Sequence, residues 1–140
     1  APQLAYERGM EISYVPHPEE KAEHPNTARL IAKKGNRTMT ITGISIGGGM
    51  IQVTELNGFD IAISAGVPTF VVIHEDVPGM IAKVSSLLSE HAINIAQMNV
   101  TREAKGEKAI MILEVDTPNV EEVIEEMKSI PRLHAVNFFN

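Results

Sequence analysis

Cysteine and tryptophan are both absent from the 140 residues, and aromatic residues make up only 4%. Without cysteine these residues can form no disulfide, offer no thiol nucleophile and give no thiolate to a metal centre, so any such chemistry has to sit on a partner. No apolar run approaches the roughly 18 residues that span a bilayer. A basic patch is missing as well: the net charge is −6, with acidic and basic residues interspersed, which argues against binding along a nucleic-acid backbone. No signal-peptide pattern opens the chain, which begins Ala1-Pro2-Gln3 within a helix-like stretch. The expectation is a cytoplasmic protein, seen here without part of its upstream sequence.

What is present is aliphatic. A hydrophobic content of 44%, drawn mainly from Ile, Val, Leu and Met, suffices for two small modules with real cores. In the first half, Pro2 to Arg8 reads as the end of a helix closed by Gly9, and Met10 to Val15 as a short strand. Pro16 to Pro25 is a polar loop. Its His17, Glu19, Glu20, Glu23 and His24 match no helical ligand spacing, and a solvated loop is the simpler reading than a metal site. Short strands follow: Ala28 to Lys33, a turn at Gly35-Asn36, Thr38 to Thr42, then Gly43 onwards. Asn57-Gly58, between Met50-to-Leu56 and Phe59-to-Ser64, is a strong hairpin signal. Two readings stand for Ser45-Ile46-Gly47-Gly48-Gly49. The glycines can let backbone N–H groups converge on an anion or substrate, with the Ser45 hydroxyl adding a donor, or they can form a bulge or sharp bend between hairpins. No P-loop ending follows them.

Ala65-Gly66-Val67-Pro68 marks a boundary, giving modules over 1–65 and 66–140. The second is the more regular. Thr69 to Glu75 is a continuous apolar strand and Pro78 to His91 an amphipathic helix. Ile93 to Arg102 reads as a strand whose apolar set changes parity between Ile95 and Met98, which predicts a bulge. After a turn at Lys105-Gly106, Lys108 to Val115 forms another strand. Thr117-Pro118 reads as a helix start, Thr117 capping, for a stripe of Val120, Val123, Ile124, Met127 and Ile130 that Pro131 stops. Leu133 to Phe139 closes the module. The expectation is an α+β protein: a mainly antiparallel module followed by a ferredoxin-like βαββαβ unit with both helices on one sheet face and edge strands suited to dimer pairing. His74-Glu75-Asp76-Val77-Pro78-Gly79 then forms a strand-to-helix corner, where free N–H groups at a helix start can hold a small anion or zwitterion.

The residues of that corner carry a resemblance. Val72 to Gly79, followed by Ile93-Asn94-Ile95-Ala96-Gln97, resembles the ACT domain, a small module that binds amino acids at this corner, usually in a dimer interface, and in particular the version found in serine-inhibited phosphoglycerate dehydrogenase. That resemblance implies effector roles for His74 and Asn94, with Asp76 standing where that version has Asn, and with Pro78 and Gly79 shaping the backbone. Glu23 to Arg29, Gly43 to Gly49 and Leu56-Asn57-Gly58-Phe59 are similar to the beta subunit of the bacterial iron–sulfur L-serine dehydratase. There an allosteric-substrate-binding domain is joined to an ACT domain, and a separate alpha chain carries the [4Fe-4S] cluster and dehydrates serine. The resemblance implies a regulatory and assembly subunit that senses L-serine, with no catalytic residue, metal or cofactor of its own. Two rivals remain: a dimerisation module that binds nothing, and a regulatory domain of another amino-acid enzyme such as phosphoglycerate dehydrogenase.

Overall fold

The computed structural model describes residues 2–17, 25–102 and 106–140. Glu19, Glu20, Glu23, His24 and Lys105, which entered the readings of the polar loop and of the second turn, lie outside them. A short helix α1 (Pro2–Glu7) precedes four strands, β1 (Thr27–Lys34), β2 (Arg37–Gly47), β3 (Met50–Leu56) and β4 (Phe59–Ser64). Then come β5 (Thr69–Glu75), α2 (Met80–Glu90), β6 (Ile95–Arg102), β7 (Lys108–Val115), α3 (Glu121–Lys128) and β8 (Leu133–Phe139). The strands make two separate sheets, an antiparallel meander β1-β2-β3-β4 and a second sheet ordered β6-β7-β5-β8. Ala65 to Pro68 connects them.

The second sheet is buried on both faces. Along β5 and β7 one parity, Phe70, Val72, Met111 and Leu113, packs under both helices with Val84, Leu88, Val123 and Met127. The other parity, Val71, Ile110 and Ile112, meets Leu56, Phe59, Ile61 and Ile63 of the first sheet. This two-sided burial is why β5 and β7 read as continuous apolar runs while β4 alternates buried and exposed. Phe70 and Phe138 add a tilted ring contact at 4.9 Å under the helices.

Three details depart from the sequence reading. Met10 to Val15 forms no strand: its residues are exposed, Tyr14 to 88%, and no strand among the described residues pairs with them. Thr38 to Thr42 and the segment after Gly43 are one strand, β2, interrupted by a register shift between Thr42 and Gly43; the glycine marks a bulge, not an end. Thr117 does not cap α3. The helix begins later, after Val120, and the Thr117 hydroxyl accepts the Asn119 N–H at 3.2 Å in the turn before it. The parity change foreseen in β6 is present as a register shift between Ile95 and Gln97.

Candidate functional site

β5 carries His74 into the corner and α2 opens just beyond it. Gly79 stands at the helix N-cap with φ 89°, a left-handed conformation that glycine adopts without strain, and no side chain caps the helix. The N–H groups of the first turn therefore face outward with no side-chain acceptor. His74 is only 2% exposed. Its Nδ1–H donates to the Glu75 carbonyl at 2.7 Å, and its Nε2, equally buried, has no hydrogen-bond partner among the described residues. With Nδ1 acting as donor, the neutral ring presents Nε2 as an acceptor; it donates there only when the ring is protonated. A buried nitrogen without a partner is costly, which singles out Nε2, on the strand that leads into α2, as a candidate ligand contact.

Sheet register places a second basic side chain in the same row. His74 pairs with Ala109 of β7, and Ala109 pairs with Arg102 of β6. Paired residues project from the same face, so His74 and Arg102 emerge on the helix-bearing side, two strand spacings or about 10 Å apart, with small Ala109 between. Asp76 reaches Arg102 from the β5 side of that gap. Its Oδ2 accepts from Arg102 Nη1 at 3.1 Å and from the Gly106 N–H at 3.3 Å. The Gly106 N–H and the Arg102 guanidinium hold its carboxyl below the ordinary carboxylate range, against an opposing effect of desolvation. Asp76 therefore does not cap α2, whose N-cap is Gly79.

Asn94 is elsewhere within the chain. β6 runs parallel to β5, and Asn94 precedes its first residue, so it sits at the far end of the sheet, some 23 Å along the strand from Arg102. There its amide Nδ2 donates to Asp116 Oδ2 at 2.6 Å. Pro78 and Gly79 are at the corner as expected; Asn94 does not join them in one copy. Arg102 escaped the sequence reading because it lies 26 residues from its partner Asp76; only the register joins them.

The Gly-rich segment is a hairpin tip. Gly47 pairs with Met50, and Gly48 and Gly49, at φ 62° and 80°, make the two-residue turn between β2 and β3. Ser45 is a ladder residue opposite Ile51, its N–H bonded to the Asn26 carbonyl at 3.0 Å. This is the geometry of the sharp bend. Asn57-Gly58 forms the matching turn, with Asn57 Oδ1 accepting the Thr40 N–H at 2.9 Å. Among the described residues no cluster of metal-ligating side chains occurs and no helix is long and apolar enough to cross a membrane.

A ferredoxin-like sheet with its ligand-like corner between the first strand and first helix agrees with the family comparison, in which residues 69–132 match the ACT domain. This segment is an ACT domain. Its chain as a whole is 36% identical over 131 residues, 94% of its length, to a protein of Bacillus subtilis described as a probable L-serine dehydratase beta chain. It is 25% identical over 82% of its length to the L-serine dehydratase beta chain of Peptoniphilus asaccharolyticus. D-3-phosphoglycerate dehydrogenase of Methanocaldococcus jannaschii is 30% identical over all 140 residues, so both the first sheet and the ACT domain are similar to that enzyme too. The chain spans 59% and 52% of the two beta chains and 26% of the dehydrogenase.

Proposed function

We propose that this chain is the amino-acid-sensing and assembly part of an L-serine dehydratase beta subunit, responding to L-serine or a closely related amino acid at the His74 corner. The observation that carries this reading is the buried His74 Nε2, without a partner among the described residues, on the strand that leads into the uncapped start of α2. A free amino acid answers both needs: its carboxylate suits the helix start, and its ammonium or hydroxyl donates to Nε2. The catalytic step, conversion of L-serine to pyruvate and ammonia, belongs in this reading to a cytoplasmic alpha chain. With no cysteine here, the donor set does not fit a [4Fe-4S] cluster, and the cluster is assigned to that partner. Ser45 and Gly47 to Gly49 serve as a turn and take a substrate only if another domain covers them.

The sensor is complete only as a dimer. β6 is an edge strand, with Met98 and Val100 exposed on its helix-bearing face. Antiparallel pairing with a second copy about Met98 sets Ala96 opposite Val100 and Gln97 opposite Asn99, like against like. The same pairing brings the start of β6 in one copy, next to Asn94, alongside the end that carries Arg102 in the other, returning Asn94 toward the corner it leaves within its own chain. A second reading, the regulatory segment of a phosphoglycerate dehydrogenase, is favoured by the likeness that extends over the whole chain.

Titration calorimetry of L-serine into the chain tests the sensor. Saturable binding in wild type and at least tenfold weaker binding in His74→Gln, which retains most of the buried volume, is the expected result. A flat wild-type titration up to millimolar serine would sink it. Co-purification with a cysteine-bearing dehydratase partner, and not with a dehydrogenase domain, separates the two enzymes.

A further inference from the structure

Two features of the first half are unmatched within one copy, and the first is an edge. β1 ends its sheet on the open side, and all eight of its residues are exposed. The Asn26 carbonyl accepts the Ser45 N–H just before β1, and Lys34 pairs with Arg37 across the Gly35-Asn36 turn at its other end. Bonded pairs alternate along an antiparallel ladder, so Arg29, Ile31 and Lys33 turn their backbone N–H and C=O groups to the open side. A row of such groups is a template for a further strand. The apolar face of the sheet is open there as well. Phe59, Leu56, Ile41 and Leu30 form one row across the four strands, and exposure rises from 5% at Phe59 to 60% at Leu30.

The second feature is the arm formed by residues 10–15. Met10, Ile12 and Tyr14 alternate with Glu11 and Ser13, and all of them are exposed. We propose that the arm of one copy adds antiparallel to β1 of a second copy, and reciprocally, as a fifth strand of each first sheet. Charge and pattern set the register. β1 carries Arg29, Lys33 and Lys34 and no acid, so Glu11 sits opposite Lys33, Ser13 opposite Ile31 and Val15 opposite Arg29. Those three β1 residues are the ones with open backbone groups. Ile12 then lies beside Ala32 and Tyr14 beside Leu30, which continues the apolar face by one strand. Pro16 falls opposite Ala28, where the backbone of the arm points away from β1 and the missing N–H costs no hydrogen bond. A second β1 suits the edge less well, because it carries the same cations and no acid. Nor is the arm's own β1 the acceptor. No strand among the described residues pairs with the arm, and Pro16 holds Val15 extended, which carries the chain onward and not back. The pairing is independent of serine and of β6, which edges the other sheet.

The chain has no cysteine, so introduced thiols report this contact without background. Ile12 and Ala32 are exposed and face each other in the proposed register. They form a non-bonded pair, whose Cα atoms approach to about 4.5 Å, within reach of a disulfide. Chains bearing only Ile12→Cys are mixed with chains bearing only Ala32→Cys in a glutathione buffer and followed on non-reducing gels. The mixed disulfide dimer is expected to form at least tenfold faster than from Ser13→Cys with Ala32→Cys, which point to opposite faces. Adding Glu11→Lys to the first chain should slow the linkage, and adding Lys33→Glu to the second should restore it. A rate equal to that of the mismatched pair would overturn the proposal. So would a chain with both Ile12→Cys and Ala32→Cys that closes on itself at high dilution while the separate chains fail to link, since the arm then belongs to its own β1.

Discussion

At the residue scale, two positions carry consequences that can be measured one side chain at a time. Gly48 has φ 62° and open space where a Cβ would project, so a substitution there meets backbone strain and not a clash. Gly48→Val should therefore destabilise by about 1–2 kcal/mol in urea melts, and Gly48→Asn by less, because Asn visits the left-handed region far more readily. Equal losses for the two would mean that the hairpin tip is held by something other than its turn geometry. For Asp76, the depressed carboxyl makes a pH prediction whose sign is fixed. A group whose folded pKa lies below its unfolded value stabilises above that unfolded value and ceases to do so as pH falls through the folded one. The Asp76–Arg102 pair should thus persist through neutral pH and dissolve only below 3.8, the ordinary carboxylate value. Carbon NMR of the Asp76 carboxyl reads the midpoint directly, and Arg102→Gln should raise it. A wild-type midpoint at or above 3.8 would contradict the geometry. His74 belongs at this scale too. It is 2% exposed, so His74→Ala removes packing as well as the ring nitrogens and is the wrong probe of binding.

At the scale of elements, β7 is the hub, because its two faces belong to two different cores. Met111 and Leu113 lie under the helices and Ile110 and Ile112 under the first sheet. Ile112→Ala and Met127→Ala, on opposite faces, should each cost about 2–5 kcal/mol by chemical denaturation. A negligible loss for Ile112→Ala would show that the first sheet does not seal that face. Elements with a strong local signal were legible in the sequence. β3, β4, β5, β7 and β8 match their apolar runs to the residue, and Asn57-Gly58 and the parity change in β6 announced their turn and bulge. What was not legible depended on partners distant in the chain. Met10 to Val15 alternates like a strand but finds no ladder, Thr117 resembles a cap but spends its hydroxyl on a local turn, and Asn94 and His74 look adjacent until the parallel course of β5 and β6 separates them. The candidate site was half visible: the motif pointed to His74, and only the register puts Arg102 in its row.

For the whole molecule, the shared core of Val71, Ile110 and Ile112 with Leu56, Phe59, Ile61 and Ile63 joins the two sheets. Unfolding followed by both far-UV dichroism and backbone amide signals should therefore be one cooperative transition; resolved separate melts of residues 27–64 and 69–139 would contradict that coupling. Assembly is the other whole-molecule property that the proposed sensor calls on, since in that proposal the corner receives Asn94 from a second copy. Met98→Lys sets two like charges opposite each other at the centre of the proposed β6 pairing and should shift sedimentation toward monomer while weakening serine binding. The account stands or falls on the corner itself, and amide chemical-shift mapping with L-serine tests it most directly. It predicts saturable shifts at His74, Asp76, Gly79 and Arg102, together with Asn94 at the far end of the same strand. Unchanged spectra at these positions up to millimolar serine, or shifts confined to the Gly47–Gly49 turn, would contradict it.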